Sequence, residues 1–195
     1  MNPSARLTFG RLAGESQALE IATDESLARR GDAASFAELY ERHLPAVYRY
    51  VVGRVRSREE AEDLTSDVFR HVWLSRTRYG GHGTFRAWLF SIVRRTVADH
   101  YRRHQPVERL EPAIAERVLD QAPTPEDQVV QDERQRHLRH LLDGLSQEQQ
   151  EILGLRFAAE LSYAEIAVVI GKREEAVKKI AYRTLEVLRG RSIHA

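Results

Sequence analysis

Arginine and aromatic side chains alternate along residues 84–104, and this combination can bind nucleic acid. Five arginines stand there against one acid, Asp99, so the local charge balance is +4. Guanidinium groups bind phosphates, and exposed aromatic rings stack on unpaired bases. For Trp88, packing in a protein core explains the sequence equally well. We predict contacts with DNA from six of these residues: Arg86, Trp88, Arg94, Arg95, Arg102 and Arg103.

Residues 163–182 have the pattern of a helix-turn-helix. This motif needs a small residue where two helices touch, a glycine at the turn and apolar residues inside the angle. Ala167 and Gly171 fill the first two roles, and the apolar positions are Ile166, Ile170, Val177 and Ile180. An ordinary helical hairpin would show a similar pattern. If the motif is real, its second helix enters the major groove, and we predict DNA contacts from Lys172, Arg173, Lys178, Lys179, Tyr182 and Arg183.

Two acids, Glu174 and Glu175, begin this basic second helix and could oppose DNA binding. Carboxylates repel phosphates, although a carboxylate can accept a hydrogen bond from cytosine. Acids in a first turn also interact favourably with the helix dipole, and the sequence favours this structural explanation.

Prolines divide the chain into blocks that can be helical. Four of the six prolines lie between positions 106 and 125, and none occurs in 46–105 or 126–195. A proline inside a helix costs about 3 kcal/mol, so the proline-rich stretch is predicted to be a linker. Pro45 can kink or interrupt the first helix. Apolar residues at three- and four-residue steps predict helices at 35–54, 59–76, 84–104, 126–142, from 146 onwards, at 163–170 and at 173–189.

The predicted fold class is all-α, with two small helical domains joined by a flexible acidic linker, the C-terminal domain being a helix-turn-helix. Thr84, Ser146 and Ser162 are the predicted N-caps, and the glycines of 78–83 predict a loop. Eight acids against two arginines give the linker a balance of −6. The predicted boundaries are 1–23 for a mostly disordered extension, 24–104 for the first domain, 105–133 for the linker and 134–195 for the second domain.

Several classes of function are excluded or disfavoured by composition. The chain has no cysteine, which excludes disulfides, thiolate metal sites and cysteine catalysis. No apolar run approaches the roughly 18 residues of a membrane span, and the first 23 residues lack the core of a secretory signal, so a cytoplasmic protein is expected. His100 and His104, like His137 and His140, have helical spacing that could hold a metal, but no third ligand is evident. We expect no metal, no cofactor and no catalytic residue.

Four stretches carry a family resemblance through their order and spacing. They are Phe36-Ala-Glu-Leu-Tyr40 with Leu44-Pro-Ala-Val-Tyr48, Ala61-Glu-Asp-Leu-Thr65 with Asp67-Val-Phe69 and Trp73, Phe85-Arg-Ala-Trp-Leu89 through Asp99-His-Tyr-Arg-Arg103, and Leu161-Ser-Tyr-Ala-Glu-Ile-Ala167. Together they make the span from Asp24 to Arg189 resemble a bacterial RNA polymerase sigma factor of the small extracytoplasmic-function (ECF) class.

The resemblance implies a function and a set of partners. A member of this class binds core RNA polymerase through an acidic helix that docks on a coiled coil of the largest subunit, and its basic helix melts the minus-ten element of promoter DNA. The helix-turn-helix reads the minus-thirty-five element, and an anti-sigma factor restrains the protein. The loop 77–83 would form the rim of a pocket for an extruded base, and the acidic linker would thread toward the RNA exit path. The implied polymerase-binding residues are Glu62, Asp63, Leu64, Asp67 and Phe69.

Departures from the family pattern leave the promoter sequence open. Many members carry asparagine near Arg95, and the run from Ala176 to Ile180 differs from the usual one. Two other functions also remain open at this point. One is a stand-alone helix-turn-helix regulator whose N-terminal half senses a ligand or protein, and the other is an enzyme acting on nucleic acid.

Overall fold

The computed structural model describes residues 22–55, 57–81, 83–104 and 144–193, and these residues form helices joined by short turns, with no strand among them. The predicted helix at 126–142, the linker and the first 21 residues lie outside the described residues. A 3₁₀ turn at Arg76–Arg78 follows the third helix and a π-turn at Gly154–Ala158 follows the fifth. The helices are α1 Asp24–Arg30, α2 Ala33–Val52, α3 Arg58–Ser75, α4 Phe85–His104, α5 Gln147–Leu153, α6 Tyr163–Ile170 and α7 Glu174–Ile193.

Side-chain caps fix where the helices begin. Thr84 Oγ1 accepts a hydrogen bond from the Ala87 N–H at 3.2 Å, which confirms the predicted start of α4. Ser146 and Ser162 each form a complete capping box at the start of α5 and α6, as predicted. Helix α1 was not predicted; Thr23 caps it by accepting from the Ser26 N–H.

Pro45 lies inside α2 without ending it. The helix continues to Val52, and the residues directly after the proline, Ala46 and Val47, are buried. Burial of this apolar face offsets the hydrogen bond that proline cannot donate, because most helical stability in proteins comes from packing of an amphipathic face. The prediction of an interruption at Pro45 was therefore wrong.

The first unit, residues 22–104, packs α2, α3 and α4 around one apolar core. Fully buried residues such as Val47, Val68 and Phe90 contribute one face from each helix. Two edge-to-face aromatic pairs join α2 to α3, Phe36 with Trp73 and Tyr40 with Phe69. The apolar core holds α4 against α3, so the opposite side of α4 faces outward.

The second unit, residues 144–193, is a compact set of short helices. Buried Ile166, Ala167 and Val177 fill the angle between α6 and α7, and Gly171 ends α6 with φ +72°. Glycine suits this left-handed conformation because it has no Cβ. The geometry is the predicted helix-turn-helix.

The two units contact each other. The same cluster of buried apolar residues continues from the first unit through Leu155, Leu161 and Ile166 of the second, and α6 lies against α4. Among the described residues, no helix is both long and apolar enough to cross a membrane.

Candidate nucleic-acid and polymerase interfaces

The outer face of α4 carries a row of accessible arginines. The side chains of Arg95 and Arg102 are 84% and 74% exposed, and Arg103 is also exposed. Asp99 lies among them: it pairs with Arg102 and lies 3.9 Å from Arg95 Nε. The hydrogen bond from Arg102 lowers the pKa of Asp99, although desolvation acts in the opposite direction. Water screens exposed pairs of this kind, so the arginines can exchange Asp99 for phosphate.

Trp88 belongs to an aromatic cluster at the start of α4. Its ring centroid lies 5.5 Å from that of Tyr79 and 5.6 Å from that of Phe85, both of which are buried. Trp88 itself is half-buried, so it combines packing with an accessible edge. The cavity beside it, also lined by Tyr79 and Phe85, has a volume of about 10 Å³. This is space for roughly one water molecule, so this cavity does not hold a base.

Arg86 points toward the second unit rather than into solvent. Its Nη2 donates to the carbonyl oxygens of Ala159 at 2.8 Å and Glu160 at 3.0 Å. Arg94 is half-exposed, and its Nε lies 3.5 Å from Glu151 Oε1 of α5. The structure thus splits the predicted DNA-binding arginines into an outward group and two that touch the second unit.

The acidic face of α3 is accessible, but two of its predicted members are not. Glu62 and Asp63 are exposed and Asp67 is half-buried, whereas Leu64 is 3% and Phe69 5% exposed. Leu64 and Phe69 therefore belong to the side of α3 that packs into the core. Their contact with polymerase stays a prediction.

Local ion pairs already neutralise part of this acidic face. Arg58 Nε donates to Glu62 Oε1 at 2.8 Å, and Arg70 Nη2 lies 3.2 Å from Asp67 Oδ1. All four side chains are about half exposed or more, so water screens both pairs. A basic partner could replace either arginine at little cost.

The second helix of the helix-turn-helix presents basic side chains to solvent. Lys179, Tyr182 and Arg183 of α7 are exposed, and so is Arg173, which precedes it. Two predicted contacts are paired with acids: Lys178 Nζ lies 2.6 Å from Glu174 Oε1, and Lys172 Nζ lies 2.5 Å from Glu148 Oε1. Glu174 therefore neutralises a neighbouring lysine, a role that was not predicted from the sequence.

Several polar residues at the contact between the units were missed from the sequence. Glu151 accepts from the Tyr50 hydroxyl at 2.6 Å, and Arg54 Nη2 lies 3.4 Å from its other oxygen. Burial raises the pKa of Tyr50 far above its usual range, so this hydroxyl stays protonated and donates. No sequence signal marked these residues, because they are separated by about a hundred positions and meet only after folding.

Glu165 combines a helix cap with a contact between the units. It belongs to the α6 capping box, and its Oε1 accepts from the Thr84 hydroxyl at 2.9 Å. Burial alone would raise the pKa of Glu165, but hydrogen bonds from Ser162 and Thr84, with nearby Arg86, outweigh it and hold the pKa below its usual value. The carboxylate is therefore charged at neutral pH.

The predicted histidine pairs do not form a metal site among the described residues. His100 Nε2 lies 2.6 Å from Glu60 Oε1, which ties α4 to α3. No group of three or more potential metal ligands occurs in residues 22–55, 57–81, 83–104 and 144–193. His137 and His140, and the side chain of His104, lie outside the described part.

Comparisons with known proteins cover both units. Sigma-70 region 2 matches residues 39–107, and sigma-70 region 4 matches residues 141–190. The ECF RNA polymerase sigma factor BldN of Streptomyces coelicolor is 38% identical over 83% of this chain, which spans 61% of that protein's length. The RNA polymerase sigma factor CarQ of Myxococcus xanthus is 32% identical, and the match covers 83% of this chain and 91% of CarQ.

A solved structure supports the fold. The chain of CnrH, in its complex with the cytosolic domain of CnrY, has a TM-score of 0.63 and 21% identity, and the match covers 86% of this chain and 95% of CnrH. Taken with the two sigma-70 regions in order and the identity to CarQ, these findings show that the chain belongs to the ECF class of RNA polymerase sigma factors.

Proposed function

We propose that this protein is a non-enzymatic initiation factor that acts in the cytoplasm, binds core RNA polymerase and directs it to specific promoters. The observation that carries the proposal is that one chain of this class presents two separate basic surfaces, the outer face of α4 and the exposed side of α7. The face of α4 suits separated strands, and the side of α7 suits duplex DNA.

Docking on polymerase is assigned to the acidic face of α3. Glu62, Asp63 and Asp67 provide negative charge on a helix that the core holds rigidly. A basic coiled coil in the largest polymerase subunit would complement this charge, which favours encounter and correct register. The buried Leu64 and Phe69 contribute by fixing the orientation of the helix.

Melting of the minus-ten element is assigned to α4. Opening a duplex costs a few kcal/mol of unstacking for each extruded base, and the separated strand must then be held. Arg95, Arg102 and Arg103 are placed to bind its phosphates, and the accessible edge of Trp88 can stack on a base.

Reading of the minus-thirty-five element is assigned to α7. Its exposed Lys179, Tyr182 and Arg183, with Arg173 at the start, are suited to phosphates and base edges in a major groove. Lys172 and Lys178 would first have to leave Glu148 and Glu174.

An anti-sigma partner is also proposed. A cleft of about 1070 Å³ lies between the units, with Arg54, Arg94 and Arg95 among its lining residues on one side and Phe157 and Leu188 on the other. Such a cleft suits an amphipathic helix with acidic and apolar faces. Two proteins of similar fold were solved with a partner: the sigma factor RpoE from Bartonella quintana with the anti-sigma factor NepR, and CnrH with the cytosolic domain of CnrY.

The stand-alone regulator is not favoured, because the N-terminal half matches sigma-70 region 2 rather than a separate sensing domain. Co-purification with core polymerase, followed by sequencing of the bound DNA, tests the proposal. We expect a shared promoter motif for the parent chain and loss of polymerase capture for a Glu62→Lys/Asp63→Lys variant. Glu38→Lys/Glu41→Lys on exposed positions of α2 is the matched control. Failure of the folded parent chain to bind core polymerase would refute the proposal.

A further inference from the structure

Glu175 lies on the exposed side of α7 together with basic residues that are proposed to bind DNA. Lys179 follows it after one helical turn and Tyr182 after two, and all three side chains are exposed. Residues at these spacings share one side of a helix. The opposite side of α7, with Val177 and Ala181, is buried in the core. Glu175 therefore belongs to the surface that would face DNA.

The two acids at the start of α7 differ in their surroundings. Glu174 is half-buried, and its Oε1 lies 2.6 Å from Lys178 Nζ, so a lysine of the same helix neutralises it. Glu175 is exposed, and no hydrogen bond or ion pair within the described part of the chain engages its carboxylate. The interaction with the helix dipole applies to both acids. Of the two, Glu175 alone keeps a charged acceptor available to a ligand.

The place of Glu175 in the helix-turn-helix brings it near base edges. Residues at the start of the second helix enter the major groove, and Glu175 is the second residue of α7, four positions after Gly171 of the turn. Arg173 before it and Lys179 after it are exposed and can bind phosphates. A carboxylate that is carried into the groove loses water, and this is costly unless a donor replaces the lost hydrogen bonds.

The major groove offers few donors to an ionised carboxylate, which can only accept hydrogen bonds. Guanine presents two acceptors there, and thymine presents one acceptor and a methyl group. Adenine has a donor at N6, but its acceptor N7 lies beside it and repels a carboxylate. Cytosine presents the N4 amino group as a donor. The carboxylate of Glu175 therefore matches cytosine better than any other base.

We propose that Glu175 is a specificity-determining residue, which selects a cytosine in the minus-thirty-five element by accepting a hydrogen bond from the N4 amino group. The inference rests on the proposed function, which assigns reading of that element to α7. Another base at this position leaves the carboxylate without a donor, so Glu175 acts mainly by rejecting other sequences. Glu174 has no such role, because Lys178 engages its carboxylate.

A promoter library tests this role of Glu175. Holoenzyme formed from the full chain and core polymerase is mixed with promoter DNA in which the minus-thirty-five positions are randomised, and the bound DNA is sequenced. The rest of the promoter is one that was captured with the parent chain. The parent chain should enrich cytosine at one position of the minus-thirty-five element.

Two substitutions of Glu175 have different expected results. Glu175→Ala should lower the cytosine enrichment about fivefold or more, because a good base contact gives discrimination of this size. Base preferences at the other positions should stay the same. Glu175→Gln should move the preference to adenine, because an amide side chain pairs with N6 and N7 of adenine.

Two control variants separate base selection from a general effect of charge. Glu186→Gln makes the same change as Glu175→Gln at an exposed position on the same side of α7, roughly 16 Å farther along the helix. Glu174→Gln removes the acid that pairs with Lys178. Both controls should keep the cytosine preference, even where the loss of a negative charge raises binding to all sequences.

An unchanged base profile in Glu175→Ala, with circular dichroism showing a folded chain, would overturn the inference. A uniform rise in binding without a change of profile would also overturn it, since the carboxylate would then act by repulsion alone. A parent chain without any preference in the minus-thirty-five region would overturn both the inference and the assignment of α7. Capture of core polymerase is measured separately, and its failure would refute the proposed function.

Discussion

Replacing Arg95, Arg102 and Arg103 with glutamine should reduce the salt dependence of open-complex formation. These three arginines of α4 are exposed, and Arg95 and Arg102 pair with Asp99 of the same helix. Glutamine keeps much of the side-chain length and removes the charge, so the change tests phosphate binding rather than packing.

The expected magnitude follows from counting phosphates. Each contact with a single strand contributes about 0.7 to the slope of log K against log salt, so three lost contacts reduce the slope by about 2. Between 50 and 200 mM salt the parent complex should therefore weaken roughly 20-fold more than the variant complex. Loss of the pairs with Asp99 should have little effect on stability, because they are exposed and screened by water.

The assay follows promoter opening by polymerase holoenzyme with a fluorescent base in the minus-ten element, across a series of salt concentrations. Arg30→Gln, at an exposed position of α1, is the single-charge control and should leave the slope unchanged. An unchanged slope in the folded triple variant would refute the assignment of these arginines to the separated strand.

Three further predictions concern stability and pH. Phe69→Ala should lower the free energy of unfolding by about 3–5 kcal/mol in urea titrations, because this ring is buried against Tyr40; a change near zero would contradict its place in the core. Gly171→Ala should cost about 1–2 kcal/mol from the left-handed backbone alone, since open space surrounds the position, and a chain of unchanged melting temperature would argue against the turn. Burial lowers the pKa of His43, and Asp24 offsets only part of this effect. The folded chain therefore holds His43 neutral, and this contribution to the free energy of unfolding is complete above the ordinary pKa near 6.5. It is lost as pH falls through the lowered pKa. His43→Gln should flatten that part of the stability profile, and an unaltered acid dependence would be inconsistent with this explanation.

Helix starts and the helix-turn-helix could be predicted because their signals are local. Ser146, Ser162 and Thr84 each cap the helix that follows within three residues. Gly171 adopts the one backbone conformation that its position requires. Such signals depend only on neighbouring residues in the chain, so they can be recognised without knowledge of the fold.

Exposure and long-range pairing could not be predicted in the same way. The resemblance assigned Leu64 and Phe69 to a partner, whereas the fold buries them under α2 and α4. The contacts of Arg86 were also missed, because its acceptors are carbonyl oxygens more than seventy positions away. Every residue has such an oxygen, so no residue type marks the site.

The π-turn has an evolutionary consequence, because the atoms that accept these hydrogen bonds belong to the backbone. Because Arg49 and Arg86 bind peptide oxygens, a substitution in the turn leaves the acceptors in place as long as the backbone keeps its path. Genetic drift could therefore alter these side chains without releasing the two arginines, and a search for co-varying residue pairs would overlook them. Gain or loss of one residue in the turn would instead displace the oxygens together.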